Sequence, residues 1–81
     1  MNDLEIVSHL LRIDETQAYE VLRLCDEVDR KLAIERYGYP KDTPETRDLT
    51  GVLTDPAYRE RLLALAEDES CSEEVLAALR R

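Results

Sequence analysis

Eighty-one residues carry nineteen acids against eleven Lys and Arg, a formal net charge of −8. That balance makes duplex DNA or RNA a poor partner, since the affinity of nucleic acid for proteins comes from phosphates neutralised by Lys and Arg. Two cysteines and one histidine are too few for a structural zinc site, which takes four Cys or His ligands.

The chain opens "MNDLEIVSHLL". Acids stand where a secretory leader carries Lys or Arg, and the apolar positions are periodic. A soluble, cytoplasmic protein with reduced thiols is expected, because no apolar run approaches the ~20 residues of a membrane span. The first helix is predicted over Asp3–Arg12, with Asn2 and Glu5 in capping-box positions and Leu4, Val7 and Leu11 on one face.

Asp14 is a good N-cap, with Gln17 in the reciprocal position. The second helix runs from Glu15 to Tyr37 and is the longest element. Ala18, Val21, Leu22, Cys25, Val28 and Leu32 recur at helical spacing as its buried stripe. Leu24 and Ile34 fall off that stripe and suggest a second contact surface, hence a homodimer. Gly38 stands at the left-handed cap position, Arg36 suits the negative end of the helix dipole, and Pro40 bars resumption.

Thr43 and Pro44 read as an N-cap followed by proline at the first helical position. They predict a short third helix, Pro44–Leu49, that breaks down near Gly51. Asp55 and Pro56 repeat the signal and open a fourth helix to Glu67, with Tyr58, Leu62, Leu65 and Ala66 inward. The turn "EDESCS" leads to a last helix, Glu73–Arg80, capped by Ser70 with Glu73 or by Ser72 alone. "LRIDETQAYEVL" aligns without gaps on "LAEDESCSEEVL", a weak internal similarity of two capped helix starts. The last hairpin resembles one unit of a HEAT-type repeat, but a solenoid needs about three or more, so the likeness assigns no family.

The predicted fold is all-α: one domain, 1–81, a compact bundle of four to five helices with one long central helix. Its core is aliphatic, since Phe and Trp are absent and the only aromatics are Tyr19, Tyr37, Tyr39 and Tyr58. Tyr19 and Tyr58 are expected in or near that core.

No catalytic residue, metal or cofactor is predicted. His9 is read as a surface histidine, with no G-x-S-x-G or comparable nucleophile motif nearby. Cys25 acts as a small buried hydrophobe. Cys71 sits at a helix start, which favours a thiolate, but Glu67, Asp68, Glu69, Glu73 and Glu74 surround it and oppose one. The run "EDESCSEE" lacks the spacing and glycine of a calcium loop. No serine follows an aspartate, which excludes an acyl carrier protein's attachment site.

These features point to a non-enzymatic module that binds a protein with a basic surface. Its extreme form is an inhibitor occupying a partner's nucleic-acid-binding face, as small phage and mobile-element proteins do. The residues proposed for that contact are Tyr37, Tyr39, Glu67, Asp68, Glu69, Glu73 and Glu74. One alternative is a small helix-turn-helix regulator or antitoxin, because "HLLRIDETQAYEVLRL" has that form. Another is a structural subunit. Acid-rich, Lys-poor composition also arises by adaptation to salt or from genome composition.

Overall fold

The computed structural model describes residues 2–40 and 48–81. Five helices follow in order: α1 (Asp3–Leu11), α2 (Glu15–Tyr37), α3 (Leu49–Leu53), α4 (Pro56–Asp68) and α5 (Glu73–Arg80), with no strand among the described residues. Helix α2 packs against α1, α4 and α5, α3 bridges α1 and α4, and α4 pairs with α5. The radius of gyration is 12.1 Å, close to the ~12 Å of a compact chain this long.

Local chemistry sets the helix ends. The Asn2 side chain accepts from the Glu5 N–H at 2.9 Å. Asp14 and Gln17 form a full capping box: Asp14 accepts from the Gln17 N–H at 2.8 Å, and the Gln17 side chain accepts from the Asp14 N–H at 3.4 Å. Gly38 ends α2 at φ 83°, donating its N–H to the Ile34 carbonyl at 2.8 Å. Pro56 is the first residue of α4, behind the Asp55 cap.

The third helix differs from expectation. It begins at Leu49, where the predicted helix ends, and runs through Gly51. The reason is Asp48, which caps it by accepting the Gly51 N–H at 3.1 Å, while Leu49 and Leu53, one turn apart, are both buried. A Cβ on residue 51 would lie 2.6 Å from that capping carboxylate, so glycine leaves the cap its room. Thr43, Pro44 and the expected turn after them lie outside the described residues.

Two hairpin turns are built alike. Arg12 at φ 56° and Ser70 at φ 54° each hold the left-handed conformation. The next residue closes a six-residue loop back onto the helix: Ile13 N–H to the Ser8 carbonyl at 3.1 Å, and Cys71 N–H to Ala66 at 3.0 Å. Asp14 and Ser72 then cap the following helices, so Ser70 is the helix stop and not the cap. The two turns correspond one helical turn away from the gapless sequence alignment. That alignment matched acids, whereas the backbone matched stops.

The core joins Val7 and Leu11 of α1 with Val21, Leu24, Cys25 and Val28 of α2, Leu49 and Leu53 of α3, Leu62 and Ala66 of α4, and Val75, Leu76 and Leu79 of α5. Leu24, expected outside the stripe, is fully buried, and Leu22 and Leu32 are only half-buried. Three neighbouring helices press on α2, so its buried arc is wider than one stripe and shifted from the predicted centre. Leu24 is therefore unavailable as a second contact surface. Tyr19 is also misplaced by the sequence reading. It is 67% exposed, because it follows buried Ala18 and is turned about 100° away from it.

Tyr58 is the one aromatic in the core, and its hydroxyl is satisfied on α2. It donates toward the Asp29 carboxylate at 2.7 Å and the Cys25 carbonyl at 3.3 Å. Burial, then the electron-rich groups around it, raise its pKa far above the ordinary phenol value. Arg59, the next residue, donates to the Ala78 and Leu79 carbonyls at 2.8 and 3.1 Å and so caps the C-terminal end of α5.

Two measurements check this account. Tyr58→Phe should lower the unfolding free energy in urea by about 1.5–3 kcal/mol, the net worth of a hydrogen bond to a charged acceptor. Arg12→Gly and Ser70→Gly should each raise the melting temperature, since only glycine takes the left-handed stop without steric cost.

Candidate functional site

The C-terminal end of α2 presents the proposed aromatic contact. Gly38 fixes the backbone, and Tyr37 and Tyr39 on either side of it bring their rings together, centroids 6.3 Å apart and tilted 43°. Both rings are about half exposed, at 48% and 57%, and Ile34, one turn before, is 44% exposed. Aromatic and aliphatic surface thus meets solvent at one place on a rigid helix end.

The acidic part of the proposed site lies elsewhere and is not uniformly free. Glu69 is held by Arg23 of α2 at 2.8 Å, and Glu67 lies 3.9 Å from Arg80 of α5. The hydrogen bond and charge of Glu69 raise the Arg23 pKa. Glu73 and Glu74 occupy the first turn of α5, where the helix dipole favours them. Asp68 lines a shallow surface concavity of about 270 Å³ with Val28, Lys31, Arg61, Ala64 and Leu65. The run has no base within itself, but folding brings bases to it from helices distant in sequence.

The tie between Arg23 and Glu69 places Glu69 away from the tyrosines. Arg23 and Tyr37 stand fourteen residues apart on one helix, about 21 Å along its axis. The structure therefore gathers Tyr37 with Tyr39 and sets Glu69 apart from them, nearer the start of α2, while Asp68 lies between, beside Lys31 and Arg61. Tyr19, missed by the sequence reading, lies closer to the acids. It shares a concavity of about 240 Å³ with Asp3, Leu22, Arg23 and Asp26. The signal for it was its position next to Ala18, which turns it outward.

A second arginine clamp was not foreseen. Arg61 of α4 grips Glu35 of α2 with both terminal nitrogens, at 2.6 and 2.9 Å. The guanidinium's hydrogen bonds lower the Glu35 carboxyl below its usual range. Both side chains are exposed, so the pair fixes geometry more than it adds stability.

Cys25 is fully buried, and Cys71 is half-buried. The Cys71 thiol is pushed up to about 11, first by burial, then by its hydrogen bond to and the charge of Glu20 on α2, then by Glu69, with Arg23 opposing. The sequence reading expected acids to suppress the thiolate. Glu20 comes from α2, which packs on α5 only in the folded chain. His9 is exposed in the last turn of α1. Among the described residues no three His, Cys, Asp or Glu side chains are gathered to hold a metal ion.

The α1–α2 hairpin has helix-turn-helix form. The end of α2 that would enter a groove carries Asp14 as its cap and Glu15 in its first turn, charges that phosphates repel. Among the described residues no helix is long and apolar enough to cross a membrane. No protein-family model, curated protein or solved structure matches the chain.

At neutral pH, Cys71 should alkylate with iodoacetamide about a hundredfold more slowly in the folded chain than in denaturant, as its thiolate fraction falls with the raised pKa. Glu20→Gln should speed that reaction. The linkage sign follows from the unfolded thiol, which loses its proton first as pH rises. Stability supplied by the protonated group is complete below the ordinary value of 9.0 and is lost as pH climbs toward about 11. Thermal melts should therefore fall steadily across that window.

Proposed function

We propose that this chain is a non-enzymatic binding module for a protein with a basic surface. The observation that carries this reading is the pair of touching, half-exposed tyrosines on a fixed helix end, in a chain of net charge −8. Rigid aromatic rings are efficient anchors in protein interfaces, and a charged surface steers encounter. Tyr39 lies beyond Gly38, outside the α2 hydrogen-bond ladder, and is the more exposed of the two, so it is the anchor. Tyr37 supports its ring.

The acids act at a distance from the anchor. Glu73 and Glu74, in the first turn of α5, and Asp68 speed approach more than they hold the complex. Glu67 and Glu69 contribute less, since Arg80 and Arg23 already face them. In its strongest form the module occupies a surface on which the partner would otherwise bind nucleic acid. Neither cysteine is in a disulfide, which fits a reducing cytoplasm. A DNA-reading role has less support, because the exposed start of α2 is acidic.

Affinity capture from the source cell with mass spectrometry would name the partner, and titration would then test the residues. Tyr39→Ala should weaken binding by about thirtyfold, roughly the 2 kcal/mol of an interfacial aromatic anchor, without shifting the melting temperature. Joint reversal of Asp68, Glu73 and Glu74 should lower the association rate and flatten its salt dependence. A Tyr39→Ala chain that melts lower yet binds equally would make the tyrosine a packing residue. Specific retention on DNA, with no protein captured, would overturn the proposal.

A further inference from the structure

The outer face of α2 carries a pattern that reads the same from both ends. Tyr19 and Tyr37 stand nine residues either side of Val28, and Asp26 and Arg30 stand two residues either side of it. At 3.6 residues per turn these four side chains fall within about 40° of one another around the helix. All four are exposed, opposite the arc through Val21, Leu24, Cys25 and Val28 that faces the core. Ala33 and half-buried Leu22 border the stripe on one side, Arg23 and Ile34 on the other.

We propose that this face is the contact for a second copy of the chain, with two α2 helices packed antiparallel about a two-fold axis at Val28. The charges of the stripe complement themselves, which suits a second copy. In that arrangement Asp26 of each copy meets Arg30 of the other, twice over. Tyr19 of each meets Tyr37 of the other, at both ends. On one side Leu22 packs against Ala33, and on the other the Arg23 stem covers Ile34. A parallel pairing would put like charges together, Asp26 on Asp26 and Arg30 on Arg30, so the pattern selects orientation as well as partner. An isologous contact requires a surface complementary to itself, and a stripe with opposite charges mirrored about its midpoint satisfies that.

The net charge of each copy opposes association, but over distances beyond about 8 Å physiological salt screens it. Asp26 and Arg30 meet at contact distance, inside that length. One helix face gives an interface at the small end of specific contacts, so the association should be reversible. Tyr39 lies outside the stripe, but Tyr37, which its ring meets, lies within it, so charge reversal at Asp26 and Arg30 is what tests this contact apart from the binding role.

Sedimentation equilibrium of the full chain across micromolar concentrations is the test. The parent chain should show reversible dimerisation. Asp26→Arg and Arg30→Asp, each alone, should weaken it by about a hundredfold, because each places like charges together at two sites. The double variant Asp26→Arg with Arg30→Asp should recover association to within about tenfold of the parent, since the mirrored charges are merely exchanged. Circular dichroism confirms that each variant folds, which exposed positions permit. A parent chain that stays monomeric overturns the proposal and leaves the face to a foreign partner. Single reversals without effect, or a double variant as weak as the singles, overturn it too.

Discussion

A core without phenylalanine or tryptophan has to be closed by short aliphatic side chains, and α2 is the one element long enough to be shared among several neighbours. Its buried arc holds Ala18, Val21, Leu24, Cys25 and Val28, and α1, α4 and α5 all pack against it. Small residues such as Ala18 and Cys25 let helices approach closely, and the leucines of α4 and α5 fill the space that remains. Tyr58 is the exception, and its hydroxyl shows the cost of bringing an aromatic into such a core. It must reach a polar partner, and it finds Asp29 and the Cys25 carbonyl on α2. The central helix thus supplies both the apolar surface and the polar closure.

Most of the helix boundaries were legible because they are local chemistry. Asp14 with Gln17, Gly38, and Asp55 with Pro56 act through atoms within a few residues, so they can be read without knowing the fold. What was not legible depended on contacts between helices. Leu24 reads as an outsider only if α2 buries a single stripe, and three packing partners widen that stripe. At the second hairpin two caps were readable, and Ser72 is the one used; Ser70 resembles a cap only because a glutamate stands three residues on. Only the left-handed backbone there identifies a stop, and nothing in the side chain announces it. Arg12 does the same work at the other hairpin with a wholly different side chain.

The candidate site divides along the same line. Tyr37 and Tyr39 could be placed together because a glycine stop separates them by one residue. The acids of Glu67–Glu74 could be counted but not partnered, since Arg23 and Arg80 reach them only through the packing of α2 and α5 on α4. Formal charge therefore overstated how free that run is. Cys71 makes the point a second time. Its nearest suppressing acid is Glu20, fifty-one residues away in sequence, and burial outweighs it.

The two faces of α2 carry different kinds of information. The inner arc is non-directional, because aliphatic burial specifies volume and little else. The outer stripe is directional, because Asp26 and Arg30 distinguish one orientation of a neighbour from its reverse. In the proposed antiparallel pair, Tyr37 would be covered at each end while Tyr39, past Gly38, would stay at the rim. Such a pair would display two copies of the proposed anchor at opposite ends of its contact, separated by at least the ~27 Å between Tyr19 and Tyr37 along the helix axis. Two anchors at fixed spacing turn a second binding event into an intramolecular one, so a modest single-site affinity suffices when the partner offers two sites. Self-association and partner binding would in that case reinforce each other through one helix, and a partner with a repeated basic surface would be the one selected.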